Sequence, residues 1–178
     1  MNGNVKAGPE SEWFDVVNAH DEVIGREPRA VVHAQGLWHR AVHVLVFNPE
    51  GAVFLQKRSR HKDVAPGLWD SSCSGHLDAG EAYDAAAWRE LREELGLHLS
   101  APPARWQRFA ACAETGWEFV WTYRVKAEGP FVLHPEEIER GDWFAPVQVS
   151  AWMEREPGAF SPAFRHIWGA LMRDALAP

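Results

Sequence analysis

From Gly75 to Leu97 the chain reads GHLDAGEAYDAAAWRELREELGL, a glycine-punctuated stretch that passes into a helix and stops at Gly96. Ala87, Leu91 and Leu95 recur every four residues, which predicts the buried stripe of a helix from Tyr83 to about Glu94. Gly96 stands where a left-handed residue ends such a helix. Glu90, Glu93 and Glu94 stand at i, i+3 and i+4, so three carboxylates share one helical face. Like charges at these spacings repel. The face needs plain solvation, the neighbouring Arg89 and Arg92, or a hard divalent cation that prefers oxygen ligands. Spacing alone leaves these three remedies open.

The flanking segments predict strands first, this helix in the middle, more strands, and helices at the end. Trp13, Phe14, Val16 and Val17 form an extended run, and Val23-Ile24-Gly25 follows a polar turn, which predicts a hairpin over residues 12–25. Pro28 to Gln35 fits one or two helical turns ending at Gly36. Arg40 to Phe47 reads as a buried strand, Asn48-Pro49-Glu50-Gly51 as a turn, and Ala52 to Arg58 as the partner strand. Ser59 to Pro66 is a polar loop, and Gly67 to Leu77 is extended. Further strands are expected at Trp106 to Cys112, Glu118 to Val125 and Ile138 to Phe144. Helices are expected near Ser150 to Arg155 and Pro162 to Leu176. That order indicates an α/β (α+β) sandwich with a mixed sheet.

The length of 178 residues suits a single domain, residues 1–178. No apolar run approaches the roughly 18 residues that a membrane span requires. Met1 to Glu12 lacks the layout of a signal peptide, so a cytoplasmic protein is expected. Two cysteines, Cys73 and Cys112, are too few and too widely spaced to suggest a zinc module or a disulfide framework. A net charge of −7 argues against a nucleic-acid partner but leaves room for a small anion, since a bound cation reverses the local sign. The ten tryptophans form no repeat and read mainly as core and rim residues. Trp69, Trp117 and Trp121 are candidates for stacking on a base.

The central segment matches G-x5-E-x7-R-E-U-x-E-E-x-G-U, with U an aliphatic residue, at every fixed position. At ordinary residue frequencies its seven fixed letters coincide on the order of once in 10⁸ starting points. The chain therefore resembles the Nudix hydrolases. The resemblance implies a Nudix-type α/β/α sandwich with a loop-helix-loop, and Mg²⁺-dependent cleavage (Mn²⁺ as a substitute) of a nucleoside diphosphate linked to a further group. It implies that the Gly75 carbonyl and the side chains of Glu90, Glu93 and Glu94 hold one to three ions. Arg89 is expected to pair with Glu81 and tie the loop to the helix. Glu90 and Glu118 are both candidate bases. Lys57 and Arg58, at the end of their strand, are candidate contacts for a terminal phosphate. Simple nucleoside di- or triphosphates are the first expected substrates, and a monomer or homodimer is expected.

A second resemblance covers most of the chain. Glu12 to Asn18, Asp21 to Gly25, His33, Leu37 to Arg40, Pro66 to Trp69 and Phe160-Ser161-Pro162 are similar to the metal-dependent isopentenyl-diphosphate isomerases, a branch of the same family. In that branch three histidines and two glutamates cage a metal, and the histidine positions fall on His33, His39 and His76. The catalytic cysteine position is Ser74 here, with Cys73 one place early and so facing the opposite side of a strand. The two-glutamate segment reads Gly116-Trp117-Glu118, so one ligand is missing. Loss of the cysteine and of a cage ligand, beside a complete hydrolase pattern, favours hydrolysis over isomerisation. A non-catalytic nucleotide-binding module is a third reading, which the intact carboxylates oppose.

Overall fold

The computed structural model of the protein describes residues 12–175. The polar amino-terminal segment up to Ser11 lies outside the described residues, as does Leu176 of the expected last helix. The hairpin forms from β1 (Trp13–Val17) and β2 (Val23–Pro28), followed by α1 (Arg29–Gln35), which Gly36 ends in the left-handed conformation. The remaining strands are β3 (His39–Phe47), β4 (Val53–Arg58), β5 (Trp69–Asp70), β6 (Cys73–His76), β7 (Ala104–Phe109), β8 (Glu118–Lys126) and β9 (Ile138–Phe144). Helix α2 (Tyr83–Leu95) carries the glutamates, and α3 (Pro146–Arg155) and α4 (Pro162–Ala175) close the chain.

Among the described residues, β3 to β9 form one mixed sheet in which β3 and β8 run parallel and the other pairs antiparallel. β3 is central and its side chains divide by period two. Val42, Val44 and Val46 pack toward Ala86, Ala87, Leu91 and Leu95 of α2. Ala41, Leu45 and Phe47 pack toward Phe164, Ile167, Trp168 and Leu171 of α4. A strand covered on both faces explains the near-continuous apolar run of β3. Burial of Leu91 and Leu95 contributes about 1.5–3 kcal/mol each, so α2 is held by its apolar stripe and not by its N-cap, Ala82, which makes no side-chain cap.

Three elements differ in extent from the sequence expectation. β2 runs on to Pro28, which pairs with Trp13, so the hairpin spans residues 13–28 and the helix after it begins at Arg29. β7 begins at Ala104 and ends at Phe109, because its pairing with β8 slips between Arg105 and Arg108 and the chain then turns away. Cys112 therefore lies in the following turn. α3 starts at Pro146, four residues early, since proline suits the first helical position, where no N–H is needed.

One departure from a regular hairpin creates the cleft. β3 and β4 pair only at Val46–Phe54 and Phe47–Val53, beside their turn, and then diverge. β3 continues against β6, through Ala41–His76 to Val44–Cys73, while β4 continues against β5 and β9. The carboxylates of α2 face this split.

Candidate active site

Glu90 and Glu94 are 4% and 3% exposed, buried one helical turn apart against β6, and Glu93 is half-buried beside them. Gly75 lets the helix approach: a Cβ at that position would lie 2.1 Å from Glu90 Oε1. Glu94 accepts hydrogen bonds from Gln56 Nε2 at 3.2 Å and from the Ser74 N–H at 3.4 Å. Gln56 was missed by the sequence reading. Its signal is a polar residue buried within β4, directly after the apolar run Val53-Phe54-Leu55.

Arg89 organises the carboxylates. Its guanidinium meets Glu81 through Nε at 2.9 Å and Nη2 at 2.8 Å, Glu90 at 2.6 Å, Glu93 at 3.2 Å and the His76 carbonyl at 3.0 Å. Burial works against its charge, but the hydrogen bonds to Glu81 and the charge of Glu90 outweigh that, and its pKa rises above the ordinary value. The loop-to-helix pairing of Arg89 with Glu81 is thus present as a two-point fork, the strong geometry for arginine and a carboxylate.

A cleft of about 660 Å³ opens over these groups, within the range of small-molecule sites. Glu90, Glu93, Glu94, Gly75, Arg58 and Glu118 all line it. Lys57 does not. It points away from the cleft with Nζ 4.0 Å from Glu139, because successive residues of β4 face opposite sides. Of the three tryptophans considered for stacking, only Trp117 lines the cleft. Trp69 and Trp121 are taken up by the two cores.

The second wall is a histidine cluster. One ring nitrogen from each of His33, His39 and His76 lies within 4.8 Å of the others. Phe14 of β1 stacks on His76 and His39 at centroid distances of 4.7 and 5.6 Å, so the amino-terminal hairpin sets the ring positions. His39 Nδ1 sits 2.8 Å from the Leu37 carbonyl and must donate to it. The Nε2 of the same ring is buried and has no hydrogen-bond partner among the described residues. Glu118 Oε1 lies 2.9 Å from His76 Nε2 and 3.5 Å from His39 Nε2. Burial pulls the His76 pKa down to about 4 despite its Glu118 partner. Burial alone would raise the Glu118 carboxyl, yet His39 and His76 outweigh it and hold it well below the usual range.

Ser74 lines the cleft, whereas Cys73 is fully buried behind it in the α2 core. The one-residue offset does reverse the side chain, and burial with nearby Glu94 and Glu90 pushes the Cys73 thiol far up.

An oxygen-only donor set of carboxylates around a bare glycine backbone is the kind a hard divalent cation prefers. The NUDIX domain model matches residues 37–164. A Nudix hydrolase of Yersinia pestis is 34% identical over 140 residues, 79% of this chain and 76% of its own length. Isopentenyl-diphosphate Delta-isomerase 2 of Photorhabdus laumondii is 31% identical over 167 residues, 90% of this chain and 92% of its own. The crystal structure of DR0079 from Deinococcus radiodurans aligns with a TM-score of 0.75 at 26% identity, covering 91% of this chain and 98% of that one. The chain belongs to the Nudix family, as a hydrolase of pyrophosphate bonds with similarity to the isomerase branch.

Proposed function

We propose that the cleft hydrolyses a diphosphate linkage of a nucleoside diphosphate joined to a further group, with Mg²⁺ as cofactor and Mn²⁺ as a substitute. Simple nucleoside di- or triphosphates are the first candidates, and the whole chain acts as one domain. The observation that carries the reading is the burial of Glu90 and Glu94 against the Gly75 backbone at the floor of a ligand-sized cleft. The Gly75 carbonyl with Glu90, Glu93 and Glu94 would hold the cation. When bound, such a cation neutralises phosphate oxygens and lowers the pKa of a bound water.

The chain's own residues supply the rest. Arg89 fixes the Glu90 carboxylate and braces the loop through Glu81. Arg58 also lines the cleft and offers a positive charge to a terminal phosphate. Water attacks phosphorus, the bridging P–O bond breaks toward the leaving phosphate, and a carboxylate takes the water proton. Glu90 and Glu118 both line the cleft and can accept it. Two proteins of the same fold support a nucleotide ligand. The Nudix domain of Shewanella oneidensis NrtR was crystallised with ADP ribose, and a bifunctional Francisella tularensis enzyme with AMP and a manganese ion. The test is phosphate or pyrophosphate release from a panel of nucleotides with added Mg²⁺. No release from any of them would remove the hydrolytic reading.

The histidine cluster favours a second reading, isomerisation of isopentenyl diphosphate. Its three converging imidazoles and the buried, unpartnered Nε2 of His39 suit a transition metal. Incubation with that substrate in D₂O separates the two readings. Deuterium in the allylic product supports isomerisation, and its absence removes it. Ser74 in place of a thiol and Gly116 in place of a carboxylate oppose it.

A further inference from the structure

On the cleft rim a third group of side chains comes together that hydrolysis does not use. Cys112 and Glu114 belong to the turn between β7 and β8, and His166 to the first half of α4. The Cys112 thiol sulphur, a Glu114 carboxylate oxygen and a His166 ring nitrogen all lie within 4.8 Å of one another. Both segments are anchored to the fold. The Cys112 N–H donates to the buried Thr115 hydroxyl at 3.1 Å, and the Trp117 N–H donates to the Cys112 carbonyl at 2.8 Å. The His166 ring packs edge-on against Phe109 at 5.9 Å.

We propose that Cys112, Glu114 and His166 form a binding site for a borderline-soft divalent cation of the zinc class, separate from the carboxylate site on α2. The donor set is one sulphur, one oxygen and one nitrogen, which selects such an ion over Mg²⁺. A thiolate and a carboxylate together neutralise a dication, and imidazole adds a neutral ligand. Tetrahedral bonds of about 2.0–2.3 Å place donors roughly 3.5 Å apart, so side-chain adjustments of about 1 Å close the site. The Cys112 thiol gives up its proton to solvent as the sulphur–metal bond forms, and no oxidation state changes. Three protein ligands leave a fourth position for water or a ligand atom. Glu114 and Thr115 also line the cleft, so that position lies at its rim. Cys73 is fully buried, leaving Cys112 as the accessible thiol of the two.

The test uses the full chain saturated with Mg²⁺, titrated with Co²⁺ as a spectroscopic stand-in for zinc. Thiolate coordination produces a near-ultraviolet sulphur-to-cobalt charge-transfer band that neither the carboxylates nor the histidine cluster can generate. One equivalent of Co²⁺ is expected to saturate the band, and Zn²⁺ to displace it. Cys112→Ser should abolish it, and His166→Ala, at an exposed position, should weaken Co²⁺ binding at least about tenfold, as loss of even an outer partner does. No band in the native protein, or a band that survives Cys112→Ser, overturns the proposal. So does unchanged affinity in His166→Ala, a variant whose fold is not at risk.

Discussion

The Glu90 carboxylate occupies the space that a side chain at Gly75 would need, with Oε1 only 2.1 Å from an ideal Cβ there. Gly75 is therefore required for close approach, since its φ is not in the left-handed region. Gly75→Ala must push Glu90 aside by more than an ångström. Misplacement on that scale lowers turnover by about a hundredfold, and the far-ultraviolet spectrum is expected to stay native. An alanine variant with full nucleotide hydrolysis would contradict the assignment of Glu90.

Glu90→Gln and Glu94→Gln keep shape while removing charge. Each is expected to cut phosphate release by at least about a hundredfold, with melting behaviour showing a folded protein. If both variants hydrolyse as the parent does, the metal assignment fails.

Arg89 grips Glu81 with two parallel hydrogen bonds and Glu90 with a third. Lysine keeps the charge but loses the fork. Arg89→Lys is expected to raise the Mg²⁺ concentration for half-maximal activity about 10–100-fold. The readout is the Mg²⁺ titration itself, and an unshifted midpoint would show that Arg89 does not position the carboxylates.

His43 of β3 is buried beneath the cleft. Its Nδ1 is 2.8 Å from the Ser71 hydroxyl and 3.5 Å from Asp70, while Arg58 lies 3.7 Å from the same Asp70. Burial lowers its pKa from the ordinary 6.5; Asp70 and Glu118 oppose that shift and Arg58 adds to it. The folded value lies below the unfolded one, so the unfolded chain takes up the proton first. His43 thus leaves stability intact above about 6.5 and erodes it as pH falls below. Urea unfolding at pH 7.5 and 5.5 should show a smaller loss for His43→Asn than for the parent. Equal losses would refute the buried neutral imidazole.

Leu91 is fully buried between α2 and the central strand. Leu91→Ala is expected to cost about 2–5 kcal/mol, measured by denaturant unfolding. A cost below about 1 kcal/mol would mean that the stripe is not what holds α2 to the sheet.

Much of this was readable from local pattern. The period of Ala87, Leu91 and Leu95 and the stop at Gly96 defined α2, and the spacing of Glu90, Glu93 and Glu94 placed their carboxylates on one face. These signals are local because helix geometry repeats every few residues. The reversal of Cys73 relative to Ser74 follows from the same short-range geometry, whereas the pairing of Arg89 with Glu81 is what the resemblance to the Nudix hydrolases implies.

Tertiary packing decided what sequence distance conceals. The early divergence of β3 from β4 opens the cleft, and it depends on β6 and β5 taking over the edges that the two strands leave. Phe14 reaches the histidines from a hairpin more than twenty residues before His39 in the chain and more than sixty before His76. Cys112 and His166, 54 positions apart, meet because α4 folds back beside the turn after β7. Lys57 and Arg58 are adjacent yet part company, one to Glu139 and one to the cleft. A helical face is written in neighbouring residues, whereas a site shared between distant strands exists only once the sheet has chosen its partners.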